Sequence, residues 1–214
     1  MNRKFGFTLA EILITLGVIG VVSAITMPTL IQNHKKRIVV TRLQKFYTSM
    51  NQALKLSEVQ NGEIKYWDKV PNDLNANDMY DWYKKYFGNY FVSKEVEKVA
   101  DGILVKNTDG SSFGMYSGQG IHVVYCVDYK ACQNYLKANN NKIIHYVFDG
   151  KNTFFFQFKN QFVPYGMGYT REILRGEDKS PLVFSCSEKY RKHFCGALIM
   201  QDGWKIADDY PVRF

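Results

Sequence analysis

Signatures of catalysis are missing from this chain. It has no G-x-S-x-G elbow to raise a nucleophilic serine, no glycine-rich loop to cradle a phosphate and no H-E-x-x-H pair to hold zinc. Histidine is scarce and dispersed, at His34, His122, His145 and His193. His122 and His145 fall inside strand patterns, where they read as sheet residues rather than as a ligand pair. No enzyme, no metal and no cofactor is expected on these grounds. Cysteine is absent before Cys126, and only Cys126, Cys132, Cys186 and Cys195 follow. Long apolar runs are also lacking, except in one place. Mean hydropathy is negative although 46% of the 214 residues are hydrophobic, so the apolar sequence is concentrated in residues 7–31 and the remainder has the composition of an ordinary folded domain.

The four cysteines form two close pairs in sequence, and an even count beyond an export signal reads as two disulfides. Three connectivities exist. Loops closed between sequence neighbours, Cys126 with Cys132 and Cys186 with Cys195, are the simplest. A four-cysteine zinc site is the alternative, but paired zinc cysteines are usually closer together than these.

The net charge of +8 raises the question of a nucleic-acid partner. Its distribution argues against DNA. Lys35, Lys36, Arg37, Arg42 and Lys45 cluster directly after the apolar run, and the other basic residues are interspersed with acidic ones. The cluster reads as a solvated or membrane-facing collar.

Residues 1–6 are short and basic, with Arg3 and Lys4, and residues 7–31 are long enough as a helix to span a bilayer. Ser23 and Ala24 could imitate an ordinary signal-peptidase site, yet such signals have shorter apolar cores. They also leave Glu11 unexplained. A carboxylate inside a membrane helix is unfavourable and asks for a partner. A cut between Gly6 and Phe7 creates one, because the new α-amino group, on the same or a neighbouring subunit, can pair with Glu11. Gly17, Gly20 and Pro28 make the apolar helix locally deformable, Pro28 by removing one backbone donor.

Gly6-Phe7-Thr8-Leu9-Ala10-Glu11, followed by the apolar stretch and its proline, resembles the signal of type IV prepilins and type II secretion pseudopilins. The resemblance covers about the first 60 residues. It implies cleavage after Gly6 by a membrane prepilin peptidase, methylation of Phe7, and an assembly role for Glu11, with Pro28 at a segment that loosens on assembly. It further implies a cytoplasmic-membrane protein with its N-terminus inside and its head outside, passing into a filament of pilin or pseudopilin subunits. The basic collar, taken by the positive-inside rule, points to the opposite orientation. Paired cysteines and the very short leader outweigh it. A signal-anchored binding or catalytic domain that never polymerises is the competing reading.

After the membrane run, Val39, Leu43, Phe46, Met50, Ala53 and Leu54 recur at helical spacing, and Gln60-Asn61-Gly62 supplies a stop. One helix with a bend at Pro28 is therefore expected over 7–61, its membrane half at 7–31 and its amphipathic half at 32–61. The head follows at 62–214. In it the sequence predicts a short helix at 77–87, dense in aromatic packing residues, and strands at 102–106, 112–117, 121–127, 143–148 and 153–159. Asp109-Gly110 and Asp149-Gly150 read as hairpin turns, and a short helix is expected at 194–201. Calcium needs six to eight oxygen ligands, and Asp149 and Asn152, with Asp202, Asp208 and Asp209 far along the chain, supply too few nearby, so the turn reading is preferred. The expected fold is α+β, type IV pilin-like: a long N-terminal helix packed on an antiparallel sheet.

Overall fold

The computed structural model describes residues 8–69, 74–144 and 148–214. One helix, α1 (Leu9–Asn61), dominates it. Thr8 caps its start, and Gly62 ends it in the left-handed region at φ 76°. The helix runs without interruption through Pro28, which forfeits one backbone bond within a turn that otherwise continues.

The head begins with α2 (Ala76–Tyr86), capped by the Asn75 side chain accepting from the Asn77 amide. Six strands follow: β1 (Ser93–Val99), β2 (Gly102–Asn107), β3 (Ser112–Gly118), β4 (Gly120–Cys126), β5 (Thr153–Phe158) and β6 (Phe162–Pro164). They form one antiparallel sheet in sequence order. Between β4 and β5 lies α3 (Tyr129–Ala138), and after β6 come α4 (Arg171–Arg175) and α5 (Cys195–Gln201).

Both faces of the sheet are covered. Phe113, Met115, Val123, Tyr125, Phe154 and Phe156 point into the core shared with α1 and α2. On the other face Leu104, Tyr116, Val124 and Phe155 meet Tyr135 and Leu136 of α3. Two-sided burial explains why β5, Thr-Phe-Phe-Phe-Gln-Phe, is buried at every position instead of alternating. The aromatics of α2 are packing residues: Trp82, Tyr83 and Tyr86 are buried, and Tyr86 stacks on Trp67 with ring centroids 4.3 Å apart.

The strand expected at 143–148 falls only partly within the described residues. His145 and its two successors lie outside the described residues, and Ile143, Ile144 and Phe148 belong to no strand. The reason is that β4 pairs directly with β5, so no place between them is open. The amides of Ile143 and Ile144 instead donate to the buried carboxylate of Asp101, at 2.6 and 2.8 Å. The Ile143 side chain lies against Gly114, where an added Cβ would come within 2.9 Å of it. Asp149-Gly150 is consequently a turn into β5 rather than a hairpin, whereas Asp109-Gly110 does join β2 to β3.

Candidate assembly helix

The first turn of α1 is organised by Thr8 and Glu11. The Thr8 hydroxyl oxygen accepts from the Glu11 amide at 3.2 Å, and the Glu11 carboxylate accepts from the Thr8 amide at 2.7 Å and the Thr8 hydroxyl at 2.8 Å. This reciprocal capping box satisfies backbone donors that would otherwise be unpaired at the end of a helix. The signal for it, T-x-x-E, stands in the sequence at Thr8 to Glu11 and gives Glu11 a local role beside that of a charge seeking a partner. Gly6 and Phe7 lie outside the described residues.

From Leu9 to Ile31 the apolar side chains have no cover. Leu9 is 76% exposed and Ile25 71%, and none of the stretch is buried within the protein. Its length and composition suit a membrane span. Pro28 lies in this free half. Beyond it the same helix becomes the spine of the head: Val39, Leu43, Phe46, Met50, Ala53 and Leu54 form a buried stripe. Phe46 is its centre. Its ring lies 4.4 Å from that of Tyr125 and 5.1 to 5.6 Å from those of Phe113, Phe162 and Phe156.

Two disulfides staple the head. Cys126–Cys132 ties the end of β4 to α3, and Cys186–Cys195 ties the loop after α4 to the start of α5, with Cα separations of 5.4 and 4.7 Å.

The remaining polar candidates are engaged in structure. One Asp149 carboxylate oxygen accepts from the amides of Lys151, Asn152 and Thr153, and the other from the Asn152 side chain. That carboxylate is therefore organised around its own turn. Asp202 and Asp209, distant in sequence, converge on Arg171. His122 is half-buried between the rings of Tyr116 and Phe155, and burial lowers its affinity for a proton. His193 packs among Phe148, Phe155 and Phe184, and His34 is exposed on α1.

Comparison with known families matched two segments that meet near Pro28. Residues 1–27 match the prokaryotic N-terminal methylation motif, and residues 29–214 match a family of unknown function, DUF6613. No curated protein and no solved structure matched the chain. The first segment carries the prepilin-type cleavage and methylation signal, and the fold behind it is a pilin-like α+β arrangement of long helix and antiparallel sheet. This chain belongs to the family of unknown function DUF6613, joined to a prepilin-type N-terminal methylation motif.

Proposed function

We propose that the protein is a structural subunit of a type IV pilus or type II secretion pseudopilus, polymerising through the exposed half of α1. The observation that carries this reading is a methylation motif leading into a helix whose first half leaves every apolar side chain free while its second half is locked into a stapled head. A helix of this kind has two environments to choose from, lipid or the equivalent helices of other subunits.

In this reading residues 1–6 are a leader removed after Gly6 by prepilin peptidase, Phe7 becomes the methylated N-terminus, 7–31 anchors and assembles, 32–61 carries the head, and 62–214 is the head. The N-terminus faces the cytoplasm, and the head lies outside the cytoplasmic membrane. Cleavage adds a positive charge one residue before the helix cap, at the positive end of the helix dipole, and the Glu11 carboxylate offsets it within one subunit or between neighbours. The function is assembly rather than catalysis.

Mass spectrometry of the native protein tests the processing, with a chain beginning at N-methylated Phe7 as the expected result. Assembly is tested by comparing membrane-extracted subunit with sheared filament for wild type, Glu11→Gln and Glu11→Ala. Glutamine keeps the reciprocal cap and removes the charge. Both variants should be processed and folded, and both should be depleted in filaments by about tenfold. Equal filament yield in all three would move the protein to the class of anchored domains that do not polymerise. Loss in the alanine variant alone would assign Glu11 to capping.

A further inference from the structure

Between Glu11 and Glu58 the long helix contains no acidic residue, yet it carries Lys35, Lys36, Arg37, Arg42, Lys45 and Lys55. The three farther from the apolar stretch have partners. Arg42 donates to the Val127 carbonyl at 2.5 Å, Lys45 pairs with Asp109 at 2.9 Å, and Lys55 pairs with Glu58 at 2.7 Å. The three nearer ones, Lys35, Lys36 and Arg37, form no ion pair among the described residues. A fourth cation comes from the tail. Lys205 and Trp204 face Asn33, Lys36, Arg37 and Val40 across an open cleft of about 400 Å³.

Position decides what this cluster can meet. Lys35 to Arg37 stand roughly 6 to 9 Å along the axis beyond Ile31, the end of the apolar stretch. A bilayer's headgroup layer is about 5 to 8 Å thick on each side of its hydrocarbon core. Trp204 lines the same cleft, with its ring 5.2 Å from that of Tyr47 on the head's side of it, and holds the neighbouring Lys205 over the helix.

We propose that Lys35, Lys36, Arg37 and Lys205, with Trp204 beside them, form a surface that binds the phosphates of anionic phospholipids in the leaflet on the head's side of the membrane. The positive charge is complementary to that leaflet and stands at its height. A nucleic-acid duplex fits poorly, because a rod about 20 Å wide laid on residues one helical turn from the span would collide with the bilayer. Bound headgroups set the depth of the anchor, and the contact is broken when the subunit leaves the membrane. The inference rests on the membrane placement of 7–31 and is independent of polymerisation.

The test uses full-length protein in nanodiscs containing equal phosphatidylglycerol and phosphatidylcholine, with retained lipids identified by native mass spectrometry. Wild type should retain phosphatidylglycerol over phosphatidylcholine by about fivefold or more, the factor that a single cation near an anionic surface contributes. The combined variant Lys35→Gln, Lys36→Gln, Arg37→Gln and Lys205→Gln should fall to parity. Lys35→Arg, Lys36→Arg and Lys205→Arg together should keep the preference. So should the control Lys94→Gln, Lys130→Gln, Lys137→Gln and Lys159→Gln, which removes as much charge from exposed positions of the head. No preference in wild type, a preference that survives in the collar variant, or an equal loss in the control would each overturn the proposal. Collar-dependent binding of duplex DNA without lipid preference would overturn it in favour of a nucleic-acid surface. Filament yield plays no part in this readout, so its failure is separable from failure of the Glu11 experiment.

Discussion

Phe46 shows how much of this head depends on one side chain. It is 4% exposed and lies against the rings of Phe91, Phe113, Tyr125, Phe156 and Phe162, which come from the segment before β1 and from four different strands or strand neighbours. Truncation to alanine leaves a cavity that rigid neighbouring rings cannot close, so Phe46→Ala should destabilise the head by about 3 to 5 kcal/mol. Urea unfolding of detergent-solubilised protein, followed by tryptophan fluorescence, measures this. A loss below about 1 kcal/mol would mean that α1 is not docked through this ring. The helical spacing of the sequence identified Phe46 as a core residue. It could not identify the rings it meets, because those lie up to 116 residues away and only the sheet brings them together.

At the scale of elements, α4 is too short to hold itself and depends on ionic contacts with the tail. Arg171 grips Asp202 through two bonds of 2.8 and 3.2 Å and Asp209 through two of 3.0 and 2.9 Å. Hydrogen bonding from the Arg171 guanidinium is the main cause holding the Asp209 carboxyl below the usual value of 3.8. A carboxyl depressed in the folded state stabilises above its unfolded pKa and loses that contribution as pH falls through the folded one. The clamp should therefore be intact at neutral pH and weaken below about pH 3.8. Arg171→Ala should lower the thermal midpoint at pH 6 and flatten its decline between pH 6 and pH 3. Parallel declines in variant and wild type would show that the clamp does not contribute to acid sensitivity. Sequence offered no hint of this clamp, since Arg171 stands 31 and 38 residues from its partners. β1 is illegible in the sequence for a different reason. Ser-Lys-Glu-Val-Glu-Lys-Val has the charges of an edge strand, and its residues are half-buried or exposed, so no apolar alternation marks it.

For the whole molecule, the second staple lies in the part with the least regular structure. The chain between α4 and α5 has no strand or long helix, and Cys186–Cys195 closes a loop across it. Loops of this size contribute about 2 to 3 kcal/mol in the chain-entropy account. Cys186→Ser with Cys195→Ser should cost about that much in urea unfolding and should open the loop to trypsin at Lys189, Arg191 and Lys192. Unchanged stability and unchanged cleavage would show that packing alone holds the tail. The anchor half of α1 should remain helical in this variant, because its backbone bonds are internal to the helix and independent of the head.

Local chemistry was enough to determine the long helix, its buried stripe from Val39 to Leu54, the strands from β2 to β4 and β5, and the Asp-Gly turn between β2 and β3. Each of these is set by interactions between residues close in sequence: helical and alternating periodicity, a glycine stop, a turn residue with positive φ. What only the tertiary structure decided depends on groups far apart. The amides of Ile143 and Ile144 could have joined a ladder, and the apolar pattern there asks for a strand. The Asp101 carboxylate, 42 residues earlier, takes both donors instead, and the direct pairing of β4 with β5 closes the place a strand would need. The same holds for the basic cleft, where Trp204 and Lys205 reach Lys36 and Arg37 only because the folded head turns the tail back to the foot of the helix.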